Sequence, residues 1–233
     1  MKSIIIGGTS GLGKYISEEL LAKESQIITI SRAEEGFQNS LHFQCELLDK
    51  EKLESVLSYI KDRISVIDSI WCVAGYAYPK KSCEQTPEFH KRHIDRNLTY
   101  VQISLDMLKD NMDKSENPLV VTCGSQWTYR SSAECPELTP YIEAKHALRK
   151  YTSDFARENP KIRANHYCIP SSDTPSYRRI EENFKAIGKD IMKSHNSLAQ
   201  PSVIAKSLVE HALSFRHSGQ TLVCEPDGLI RVL

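Results

Sequence analysis

The chain has 233 residues, 40% of them hydrophobic, and 30 basic residues balance 30 acidic ones. That length suits one domain with a sizeable core, and the zero net charge argues against nucleic acid or an anionic membrane as the main partner. No apolar run approaches the roughly 18 residues that span a bilayer. The apolar run behind Met1 is too short for a signal-peptide core, so a cytoplasmic location is expected. The seven cysteines, Cys45, Cys72, Cys83, Cys123, Cys135, Cys168 and Cys224, show no zinc-like spacing. Their odd number speaks against a complete disulfide framework, and no metal site is expected.

In chain order, residues 2–6 form a β-branched run that predicts a first strand. The loop Gly7-Gly8-Thr9-Ser10-Gly11-Leu12-Gly13 follows, then an amphipathic helix over about 11–23 with Ile16, Leu20 and Leu21 on its core face. A strand that enters a helix through glycines leaves backbone N–H groups at the positive end of a helix dipole, which is a site for a pyrophosphate. Residues 26–30 read as a second strand. Ser31 and Arg32 end it, and a hydroxyl beside a guanidinium suits a ribose 2′-phosphate and so NADP. Glu34 and Glu35 follow closely, and either could take the ribose hydroxyl instead, leaving NAD possible.

Residues 41–45 predict a short third strand, and Asp49 caps a helix running to about residue 62. A buried strand over 66–73 ends at Ala74-Gly75, a second place where backbone can approach a ligand. Residues 76–87 read as a loop. Thr86 and Pro87 then open a helix to about residue 110 that carries Asn97. A fifth strand over 119–123 ends at Gly124-Ser125, before a loop over 126–140 with Trp127 and Tyr129. After a helix to about Glu158, a sixth strand spans 162–169 and is closed by Pro170. Residues 171–197 hold a polar helix of weak periodicity and are expected to form a mobile lid. A helix opened by Pro201 and a strand over 221–224 complete the pattern. Strands alternating with helices predict an α/β fold: a Rossmann-like doubly wound parallel sheet of about seven strands, flanked by helices on both faces.

The helix after residue 140 carries Tyr141 and Lys145, four apart and so on one face. A free Tyr has a pKa near ~10. A neighbouring ammonium favours the phenolate, which would bring Tyr141 into range as a general acid. The spacing alone is weak: Tyr76 and Lys80 repeat it, but Pro79 between them breaks any helix, and that copy reads as accidental.

Together these pieces resemble the short-chain dehydrogenase/reductase family over essentially the whole chain. The family's glycine loop is matched by Gly7, Gly11 and Gly13, its helix-borne Asn by Asn97, and its strand-end Ser by Ser125. Its YxxxK is Tyr141 and Lys145, and its segment after the sixth strand is matched by Pro170 and Thr174. Three departures stand out. The usual NNAG is Cys72-Val73-Ala74-Gly75, so an altered hydrogen-bond network is expected there. The acid that contacts adenine is Glu46, followed by Leu47. The loop between Ser125 and Tyr141 is longer than usual, which would put Trp127 and Tyr129 at the substrate mouth.

The resemblance implies one NAD(P)-binding domain over 1–233, NADP(H) as favoured cofactor, and hydride exchange with a small carbonyl or alcohol substrate. Tyr141 would move the proton, Ser125 would orient the substrate oxygen, and Lys145 would tune Tyr141 and hold the nicotinamide ribose. Asn97 would position a water. A homodimer or homotetramer, paired through the helices of Asn97 and Tyr141, is also implied. Two other readings stand beside it: a non-catalytic NADP-binding regulatory protein and a sugar-nucleotide epimerase or dehydratase. The lid cations Arg178, Arg179, Lys185, Lys189 and Lys193 invite an anionic substrate, but the acids among them favour a solvated face.

Overall fold

The structure, a computed structural model, describes residues 1–37, 39–129, 134–190 and 198–233. Its strands are β1 (Lys2–Ile6), β2 (Gln26–Ser31), β3 (Ser40–Gln44), β4 (Ser69–Cys72), β5 (Leu119–Cys123), β6 (Arg163–Cys168), β7 (Thr221–Cys224) and β8 (Ile230–Val232). They form one sheet in the order β3-β2-β1-β4-β5-β6-β7-β8. The strands pair in parallel except for β7 with β8. The chain works outward from β1 to β3, then returns to the other side of β1 with β4. That reversal opens a crevice beyond the carboxyl ends of β1 and β4.

The isoleucines of β1 show why the sheet is covered on both faces. Ile4 and Ile6 pack into one core and Ile5 into another, and all three are fully buried. The first core takes α2 (Lys50–Arg63) and α5 (Thr139–Glu158), and the second takes α1 (Gly11–Ala22) and α7 (Pro201–Ser214). Asp49 caps α2 by accepting the Lys52 N–H at 3.0 Å.

Three expectations need correction. The sheet has eight strands, not about seven. The last hairpin turns at Gly228, whose φ of +90° suits glycine. With Arg231 and Val232 exposed, β8 has no alternating pattern to betray it. The long helix expected over residues 87–110 is two helices, α3 (Pro87–Ile94) and α4 (Tyr100–Met112), joined by a π-turn at Asp95–Thr99. The Asn97 side chain donates to the His93 carbonyl at 2.9 Å, the same carbonyl that its backbone N–H would use in an α-helix.

The helix in the expected lid, α6 (Pro175–Ala186), is amphipathic, with Tyr177 and Phe184 buried. Ile180 and Phe184 join Leu138, Ile142, Trp127 and Tyr141 in a third apolar cluster. Residues 191–197 of the expected lid lie outside the described residues, as do 130–133 of the expected loop.

Candidate active site

A cleft of about 570 Å³ runs along the carboxyl ends of the strands, from the glycine loop and the end of β2 to Ser125 and Tyr141. Its floor is set by close backbone contacts. A Cβ on Gly7 would fall 2.7 Å from the Ala74 nitrogen, and one on Gly13 would fall 2.0 Å from the Gly7 oxygen. Thr9, Ser10, Gly11 and Leu12 complete the loop along the cleft. Ser10 makes no side-chain cap to α1, and the first turn of that helix holds no acid. This bare helix start, cradled by glycines, fits the diphosphate of a dinucleotide.

At the β2 end, the Ser31 hydroxyl bonds that of Thr9 at 2.7 Å and accepts the Ala33 N–H at 3.1 Å. Arg32, Glu46 and Leu47 line the cleft beside it, whereas Glu34 and Glu35 are exposed and lie outside it. Arg32 approaches Glu46 at 4.0 Å. Arg96, which the sequence reading passed over, reaches the same carboxylate at 3.6 Å. Its only signal in the sequence is a cation placed directly before Asn97.

Cys72 is buried in the core, and Tyr100 supports the turn that follows it. The Tyr100 hydroxyl, carried by α4, donates to the Ala74 carbonyl at 2.8 Å. Asn97 is fully buried and stands behind Gly75 rather than on the cleft wall. It accepts the Tyr76 N–H at 3.1 Å and donates to the Tyr76 carbonyl at 2.8 Å. A Cβ on Gly75 would lie 3.3 Å from both Asn97 Oδ1 and Lys145 Nζ. A side chain at position 75 would therefore crowd both polar atoms.

At the far end, Ser125, Tyr141 and Lys145 line the cleft together. The Ser125 hydroxyl accepts the Trp127 N–H at 3.2 Å, and its proximity to the Tyr141 phenol favours the phenolate. Lys145 donates to the Cys123 carbonyl at 2.8 Å, and its ammonium is 5.9 Å from the centre of the Tyr141 ring. Burial pushes the Tyr141 phenol up to about 12, with Ser125 acting to lower it, and burial lowers Lys145 to about 8. Desolvation opposes the charged form of each group.

Gly124 sits against His166, with a Cβ position only 2.1 Å from the ring Nε2. His166 is bonded through Nδ1 to Thr122 at 2.8 Å, and burial lowers its pKa to about 3, so the ring is neutral. Sequence reading had no signal for this pair.

Trp127, Pro170 and Thr174 line the cleft, with Thr174 against Gly11 of the glycine loop. Tyr129, the last residue of the short 3₁₀ turn Gln126–Tyr129, lies outside that lining and is exposed. Of the lid cations, Arg178 pairs with Asp173 at 2.7 Å, Lys185 with Glu181 at 2.7 Å, and Lys189 with Glu137. Those three lie outside the cleft lining, and Lys193 lies outside the described residues.

A family model for short chain dehydrogenases matches residues 2–185. The chain belongs to the short-chain dehydrogenase/reductase family. Within it, the chain is 23% identical over 232 residues to a 15-hydroxyprostaglandin dehydrogenase of Bos taurus, with 89% of this chain and 84% of that one covered. A short chain dehydrogenase family protein from Francisella tularensis superposes with a TM-score of 0.83 at 24% identity, covering 95% of this chain and 96% of that one. An actinorhodin polyketide ketoreductase has a TM-score of 0.83 at 19% identity, covering 95% and 94%. Short-chain dehydrogenase/reductase members are oxidoreductases of small molecules that bind nicotinamide cofactors, and the cleft has the cradle for one. No helix among the described residues is long and apolar enough to cross a membrane.

Proposed function

We propose that this short-chain dehydrogenase/reductase is an NADP-preferring carbonyl reductase or alcohol dehydrogenase acting through Ser125, Tyr141, Lys145 and Asn97. The observation that carries the reading is the convergence of Ser125, Tyr141 and Lys145 on one cleft that also holds the glycine cradle. A bound nicotinamide dinucleotide supplies or accepts the hydride.

The chain's own groups handle the proton. Tyr141, held protonated at neutral pH, donates to the substrate oxygen. Ser125 already has one lone pair taken by the Trp127 N–H, and it orients the same oxygen. Lys145, with a pKa near about 8, exchanges protons readily close to neutral pH. Asn97 Oδ1 and Lys145 Nζ both lie close to Gly75, and a water bridging them would pass the proton on.

The relatives' names point both ways on the cofactor: NAD(+) for the prostaglandin dehydrogenase and NADPH for the ketoreductase. The preference for NADP rests on Arg32 in the cleft and on Glu34 and Glu35 outside it. Fluorescence titration of wild type and Arg32→Ala with NADPH and NADH tests it, since Trp127 lines the same cleft. NADPH should bind about tenfold more tightly, ~1.4 kcal/mol, and fall to the NADH value in the variant. Equal or tighter NADH binding would overturn the preference, and binding of neither would overturn the oxidoreductase reading.

A further inference from the structure

Arg96 is unusually placed for a cation. It sits in the π-turn, its side chain is only 15% exposed, and it lines the cleft. Its guanidinium lies over the Tyr76 ring at 4.6 Å, which fixes its plane. Its Nε is buried without a hydrogen-bond partner. Arg96 and Arg32 converge on one oxygen, Glu46 Oε2, at 3.6 Å and 4.0 Å. Both distances exceed a good N–H···O hydrogen bond. The carboxylate therefore attracts both forks without saturating either. Glu46 is the only acid among the described residues lining the cleft, so two cations share one anion there. Arginine forks match the oxygens of a phosphate better than a single carboxylate oxygen does.

We propose that Arg96 is a second specificity-determining residue: with Arg32 it forms a two-guanidinium subsite for a phosphate monoester, and Glu46 is the anion these groups hold until a phosphate displaces it. The proposal rests on the NADP reading above. It adds a competition that Arg32 alone does not imply, because Glu46 opposes the phosphate for the same two cations. Removing the Glu46 charge should strengthen phosphate binding, and removing Arg96 should weaken it.

Wild type, Arg32→Ala, Arg96→Gln, Arg96→Lys and Glu46→Gln would be titrated with NADPH and NADH, with circular dichroism to check folding. Arg96→Gln should weaken NADPH about tenfold and leave NADH within about twofold, with Arg96→Lys between it and wild type. Glu46→Gln, at a half-exposed side chain and so safe for folding, should tighten NADPH several-fold. Equal losses for both cofactors in Arg96→Gln would overturn the proposal, as would weaker NADPH binding in Glu46→Gln. A NADPH preference lost in Arg32→Ala but unchanged in Arg96→Gln and Glu46→Gln would overturn this proposal alone. A wild-type preference for NADH would overturn it together with the NADP reading.

Discussion

The Tyr141 phenol and the Ser125 hydroxyl line the same cleft, one carried by α5 and the other by the turn after β5. A substrate oxygen bound beside both would meet a hydroxyl donor from each. Tyr141→Phe keeps the ring in its apolar cluster and removes only the proton. It should cut kcat by ~10²–10⁴, and Ser125→Ala by ~10²–10³. Cofactor affinity, measured by fluorescence, should barely change in either.

Lys145 makes stability depend on pH in a defined direction. Its folded-state pKa of about 8 lies below the usual 10.5, so the unfolded chain binds more protons between those values. The cost of burying the ammonium is fully present below pH ~8 and is relieved as pH rises toward ~10.5. Relative to Lys145→Met, wild type should gain about 3 kcal/mol across that window. Urea denaturation of both proteins at neutral pH and at high pH checks it; a constant difference would refute the shift.

Gly124 and His166 form a second coupled pair. The imidazole is held by Thr122, so it cannot retreat from a Cβ placed 2.1 Å away. Gly124→Ala should cost roughly 1–3 kcal/mol through overpacking and should displace Ser125, lowering kcat. In Gly124→Ala/His166→Ala the ring is gone. The double variant should lose less stability than the two single changes added together. Strict additivity would show that the ring does not hold the turn.

Tyr100 ties α4 to the turn at Ala74. Tyr100→Phe removes the hydrogen bond to the half-buried Ala74 carbonyl, with a cost of about 0.5–1.5 kcal/mol. Ala74 lies in the cleft and its N–H bonds Ile6. Cofactor binding should therefore weaken together with stability, read by titration and urea denaturation.

The residues that were legible in the sequence announce themselves through local chemistry. The glycine loop, the caps Asp49 and Thr86, and the four-residue step from Tyr141 to Lys145 each rest on a rule that needs no tertiary partner. Arg96 was hidden because its direction depends on the π-turn, and hydrophobic spacing does not signal one extra residue in a helix. The place of Tyr129 outside the cleft lining depends on a short 3₁₀ turn that no sequence pattern announces. The four-residue spacing gives proximity of Tyr141 to Lys145 but says nothing of the burial that raises the phenol. The amphipathic face of α6 was masked by a polar composition, although Tyr177, Ile180 and Phe184 share one side.

The turn at Asp95–Thr99 makes the chain's length there a functional quantity. Removing one residue from it would let α3 and α4 fuse into a continuous helix, with every carbonyl in regular pairing. That shorter chain would gain local regularity, yet it would rotate Asn97 off Gly75 and Arg96 off Glu46 in one stroke. The irregular turn is thus a spacer that sets both ends of the cleft at once, and a sturdier helix here would make a poorer catalyst.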